Sequence, residues 1–140
     1  MATQIREARF EDAGTILELA KDFATSFVVE EQAFYHAFSE ILASPEAHLA
    51  VAENSQQIVG YLLGFNHFTF FANGRVAWVE EIMVKESFRR QNIGQLLMQD
   101  FEVWADSRKS KLIALATRRA SAFYQALGYE ESATYYRKLL

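Results

Sequence analysis

Apolar positions along the chain change their period several times, and each change marks an element. Residues 4–8 form a short extended stretch, after which Ile16, Leu17, Leu19, Ala20 and Phe23 recur at helical intervals. Asp12 stands ahead of that stripe as its expected N-cap. Phe34, Ala37, Phe38 and Ile41 repeat the pattern over Glu31–Ala43, and Ser44-Pro45 stops it, because a residue before proline is pushed out of helical geometry. Denser apolar runs then predict strands over residues 48–53 and 58–68, joined by the polar turn Asn54-Ser55-Gln56-Gln57. Asn73-Gly74 is a further turn signal, and residues 75–84 make the next strand. Leu96, Leu97, Phe101 and Trp104 return to helical spacing over residues 94–108. A buried strand over 112–116 follows, then a helix over 120–127 that Gly128 ends, and extended structure from Tyr129 onward.

That order predicts a single α+β domain over residues 1–140. Its central mixed sheet has six to seven strands, mostly antiparallel, with about four flanking helices. One parallel crossover is expected, through the helix that begins near Gly94.

Composition narrows the function classes. Hydrophobic residues at 51% and charged residues at 23% suit a folded core. A net charge of -4 argues against nucleic acid as a partner, since phosphate neutralisation needs a basic surface. The absence of cysteine excludes disulfides, thiolate-bound zinc and a cysteine nucleophile. No run approaches the roughly 20 apolar residues of a membrane span, and Met-Ala-Thr-Gln-Ile-Arg-Glu has no signal-peptide character. The expectation is a cytoplasmic protein with no membrane partner. His36, His48 and His67 are scattered without ligand spacing, so no metal is expected.

The segment 78–97 carries the chemistry. A strand leads through a polar loop into a helix whose first turn holds Asn92 and Gly94. Amides at a helix start lack intrahelical partners, and the helix dipole favours an anion there. Arg89 and Arg90 add positive charge, so the turn from Arg89 to Gly94 suits a diphosphate. Upstream, Glu80 and Glu81 are two carboxylates inside an apolar strand. Regular alternation puts Glu80 with Ile82 and Val84 on one face and Glu81 with Val79 and Met83 on the other, so one carboxylate faces a cleft.

The loop pattern Arg89-x-x-Asn92-x-Gly94 resembles the signature of the GNAT superfamily of acetyl-CoA-dependent N-acyltransferases. A second segment, Ala120-Ser121-Ala122-Phe123-Tyr124-Gln125-Ala126-Leu127-Gly128-Tyr129, is similar to another of its motifs. Asn92 stands where that family usually has glycine, and asparagine is the next most tolerant residue for a left-handed backbone. The resemblance implies acetyl-CoA as cosubstrate, held by the backbone of Ile82, Met83 and Val84 along its pantetheine arm. Around its pyrophosphate it implies Arg89, Arg90, Gln91, Asn92, Ile93, Gly94 and Gln95. It further implies Tyr124 as the group that protonates the departing thiolate and also contacts the cofactor. Glu80, with Glu81 or a water as the alternative, is implied as the base for the substrate ammonium.

Attack is then direct, without an acyl-enzyme, and the acceptor a primary amine, most similar to the small molecules used by aminoalkylphosphonate and aminoglycoside acetyltransferases. A homodimer is expected through the C-terminal segment. Thr117 stands where many relatives carry asparagine, and a catalytically weak acyl-CoA-binding sensor or regulatory module is the alternative reading. Phe27, Phe34, Tyr35 and the run Phe68-Thr69-Phe70-Phe71 are candidates for core packing or for an acceptor wall.

Overall fold

A computed structural model describes residues 2–140. Five strands form one sheet in the order β1-β2-β3-β4-β5: Thr3–Glu7, Ala47–Asn54, Gln57–Thr69, Gly74–Val84 and Ser110–Leu115. Neighbours are antiparallel except β4 and β5, which run parallel across the crossover helix α3 (Ile93–Ser107), counted after α1 (Ala13–Phe23) and α2 (Glu31–Ala43). A short α4, Ser121–Ala126, follows β5.

The sheet separates two apolar layers. Ala50, Ala52, Val59, Leu62, Ala77 and Val79 project toward α3 and α4, where Leu97, Met98 and Phe101 meet them. Leu49, Val51, Tyr61 and Leu63 project the other way, against Ile16 and Leu19 of α1 and Phe38 of α2. Alternation sorts neighbouring residues to opposite layers along β2, and along β3 from Tyr61 to Leu63; Val59, the extra residue where Ala52 meets Gly60 and Glu53 meets Ile58, shifts the phase before them.

Two expectations are corrected. The sheet has five strands and not six to seven, because residues 129–140 form no ladder among the described residues. Gly128, at φ 94°, turns the chain away from α4, and the tail docks by a side chain instead: Tyr135 stacks on Trp78 with ring centroids 6.4 Å apart. Extended sequence becomes a strand only when a partner supplies its backbone hydrogen bonds, and β5 does not supply them. Asp12 does not cap α1 through its side chain. It accepts the Arg9 amide at 2.7 Å and pairs with the Arg6 guanidinium at 2.8 Å, closing a 3-10 turn ahead of the helix.

Candidate active site

Strand β4 organises the site. Its register with β3 passes from Leu63 opposite Glu81 to Gly64 opposite Val79, which leaves Glu80 as the extra residue of a β-bulge. Beyond the bulge Ile82 packs on the α3 layer, and so does Val79 before it. The strict alternation expected for residues 79–84 is therefore broken: Val79 shares a face with Ile82 and Val84, while Glu81 shares one with Met83 and Tyr61.

The parallel pairing of β4 with β5 ends at Val79 and Leu115. From Glu80 to Val84 the main chain of β4 has no strand neighbour on that side. Unpaired backbone donors and acceptors in a partly covered strand call for water or a ligand. The three residues expected to hold the pantetheine arm, Ile82, Met83 and Val84, all lie in this open stretch.

The loop after β4 makes a 3-10 turn over Glu86–Phe88 and then two left-handed residues, Arg90 and Asn92, each at φ 65°. Asn92 thus takes the backbone conformation that its chemistry tolerates best after glycine. Among the described residues the amides from Arg90 to Gln95 make no backbone hydrogen bond, and the first helical bond is that from the Leu96 amide to the Asn92 carbonyl at 3.0 Å. Arg89 also has a structural use. Its Nε donates to the Val84 carbonyl at 3.0 Å, fastening the loop to the end of β4. Gly94 also has a packing reason to be glycine: a Cβ there would lie 3.2 Å from the Phe123 ring. The start of α3 is therefore seated directly on α4, next to Tyr124.

Tyr124 is buried, its ring packed edge-on to Phe123 at 4.9 Å and near Tyr129 at 6.0 Å. Burial pushes its phenol pKa up, so the group stays protonated. Its hydroxyl makes no hydrogen bond within the described residues. Tyr129, by contrast, donates to Glu102 at 2.7 Å, which ties the end of α4 to α3.

Glu80 is exposed at the bulge, and Glu81 is half-buried. The Tyr61 hydroxyl, itself buried, donates to Glu81 Oε1 at 2.7 Å. Burial raises the Glu81 pKa above its ordinary 4.5; the Tyr61 bond opposes that and the neighbouring Glu80 charge adds to it. A carboxyl whose pKa is higher folded than unfolded loses stabilisation as pH rises from about 4.5 through the folded value. Glu81→Gln keeps an acceptor for Tyr61 and removes that ionisation. The variant should melt above the parent at about pH 8 and lose the advantage at about pH 4. Equal differences in thermal melts at both pH values would refute the account.

Glu80, Glu81, Ile82 and Tyr124 line one wide groove, together with Trp78 and Thr117. Met83, Val84 and the loop from Arg89 to Gln95 do not line it; Gly94 instead packs against Phe123, the neighbour of Tyr124 on α4. Thr117 accepts the Ala120 amide at 3.0 Å and so shapes the entry to α4. Arg118 and Arg119 are exposed on the groove's β5 side. Of the aromatic candidates, Phe27, Phe34 and Phe71 line the groove, whereas Phe68 and Phe70 stand exposed at the β3–β4 hairpin. His48 is buried against Asp100 at 2.7 Å and stacked on Trp104. Tyr61 and Trp78 were not marked by sequence reasoning, although their inward positions on β3 and β4 were the available signal.

The model of the acetyltransferase (GNAT) family matches residues 14–129, the span that contains every one of these features. The chain belongs to the GNAT acetyltransferase family. It is an acetyl-CoA-dependent N-acetyltransferase with the single α+β fold of that family. Its relatives include an aminoalkylphosphonate N-acetyltransferase of Salmonella typhimurium, 26% identical over 98% of this chain and 91% of that protein. A thialysine N-epsilon-acetyltransferase of Bos taurus is 28% identical over 91% of this chain and 84% of its own length. Among solved structures, one described as a transcriptional regulator from Bacillus halodurans C-125 superposes with a TM-score of 0.90 at 25% identity. That match covers 99% of this chain and 100% of the other. Among the described residues no helix is long and apolar enough to cross a membrane.

Proposed function

We propose that the protein acetylates the primary amine of a small molecule by direct attack. The observation that carries this reading is the opening of β4 beside β5 just past Val79, where Glu80 and Glu81 meet Tyr124 around one groove. Acetyl-CoA supplies the activated acetyl group as a thioester. The edge of β4 from Ile82 to Val84 that β5 leaves open, apart from the Val84 carbonyl held by Arg89, suits an extended amide-bearing arm, and the amides from Arg90 to Gln95, with the Arg89 and Arg90 charges, suit its diphosphate. Glu80 binds the substrate ammonium and takes its proton, directly or through water, so that the neutral amine can attack. Glu81, held by Tyr61, stands behind as the second carboxyl. Tyr124 donates to the sulfur as the carbon–sulfur bond breaks. The small-amine acceptor is supported by the names of both relatives.

Incubation with acetyl-CoA and a library of metabolite amines should release free CoA thiol together with an N-acetylated product detected by mass spectrometry. Tight acetyl-CoA binding without thiol release for any amine would favour the sensor alternative instead. Glu80→Gln is expected to lower kcat/KM about 100-fold with the KM for acetyl-CoA nearly unchanged. A kcat/KM equal to the parent's would remove Glu80 from the base role.

A further inference from the structure

The groove is chemically divided. On the side of α1 and α2 its walls are Phe23, Phe27, Val28 and Phe34, facing Tyr61 and Trp78 of the sheet. The charged residues lining this half are Glu30, Glu80 and Glu81, all acidic. Elsewhere the lining is mixed: Lys111, Arg118, Arg119 and Arg137 stand with Glu102, Asp106, Glu130 and Glu131 along α3, β5, the loop after it and the C-terminal tail. Phe27 and Val28 are 68% and 91% exposed in the connection between α1 and α2, with no core contact that accounts for two large apolar residues side by side. Tyr135 of the tail, stacked on Trp78, extends the aromatic wall.

We infer that the acceptor is a primary amine carried on an apolar aromatic body, and that an amine carried on an anionic body is disfavoured. The inference rests on the acetyl-transfer reading and names the substrate class of the same groove. An ammonium directed at Glu80 and Glu81 places its substituent against Phe27, Val28 and Phe34, where covering exposed apolar surface favours binding. A phosphonate in the same place meets the Glu80 and Glu81 carboxylates, so like charges oppose it. The expectation departs from what the name of the Salmonella typhimurium relative says of that protein.

Three amines on the same two-carbon spacer make the test: 2-phenylethylamine, ethylamine and 2-aminoethylphosphonate, each assayed with the full chain and acetyl-CoA for release of free thiol. The expected kcat/KM for phenylethylamine exceeds that for ethylamine by about tenfold or more, and the phosphonate falls below ethylamine. In Phe27→Ala and Val28→Ser the phenylethylamine-to-ethylamine ratio should fall toward one, through KM for the aromatic amine. A phosphonate turned over better than phenylethylamine would overturn the inference and leave acetyl transfer to a small amine intact. Equal kcat/KM for all three would also overturn it. Thiol release with none of the three, while the amine library still yields an acetylated product, would overturn the inference alone; no release with the library either would overturn the acetyl-transfer reading on which it rests.

Discussion

Tyr124→Phe is expected to turn over some 100- to 1,000-fold more slowly than the parent, with the KM for acetyl-CoA nearly unchanged. The ring packs on Phe123 and Tyr129, and phenylalanine preserves both contacts. Only the hydroxyl is lost, and that hydroxyl bonds to nothing inside the described protein. Its removal therefore leaves no partner unsatisfied, and the folded state should melt within about 1 kcal/mol of the parent. Because burial pushes the phenol up, Tyr124 stays protonated throughout an ordinary assay range. The defect should then have the same size at about pH 7 and about pH 9, since no titration of this group intervenes. A kcat equal to the parent's would end the role in thiolate departure. A loss confined to the acetyl-CoA KM would make Tyr124 a binding residue only.

The site was legible where chemistry is local and obscure where it is tertiary. Asn92 in a left-handed turn follows from the residue itself, and so does a helix start with free amides behind it. Gly94 was legible as a position needing glycine, but half of the reason, the Phe123 ring, comes from a helix about thirty residues away in the sequence. The bond from Arg89 to the Val84 carbonyl was not legible, because it depends on how the loop folds back. The acidic pair shows the limit most clearly. Alternation assigns Glu80 and Glu81 to opposite faces only in a regular strand, and the bulge is not written in residues 79–84. It is Glu81 whose pKa burial raises, and the Tyr61 hydroxyl that bonds it comes from the neighbouring strand. The missing C-terminal strands have the same origin: Thr134, Tyr135 and Tyr136 have strand character, but a ladder needs a partner edge.

Gly64→Ala should cost about 3 kcal/mol or more of stability, and it tests what holds the bulge in place. Gly64 is the residue that meets Val79 where the register shifts, on the sheet face covered by α3. A Cβ built there would lie 2.2 Å and 2.5 Å from two ring carbons of Phe101 and 3.0 Å from the Trp78 carbonyl oxygen. Phe101 is fully buried among the α3 contacts, so its ring has little room to retreat. The strand must move instead, and with it the register that exposes Glu80 and turns Glu81 toward Tyr61. A drop in Tm of about 10 °C is expected, with kcat/KM falling in the fraction that remains folded. Phe101→Leu in the same chain separates the two contacts. If the ring is the obstacle, the double variant recovers part of the loss and the two effects are strongly non-additive. If the Trp78 carbonyl is the obstacle, the losses simply add. A single Gly64→Ala variant that melts within about 1 kcal/mol of the parent would show that the bulge does not depend on this packing.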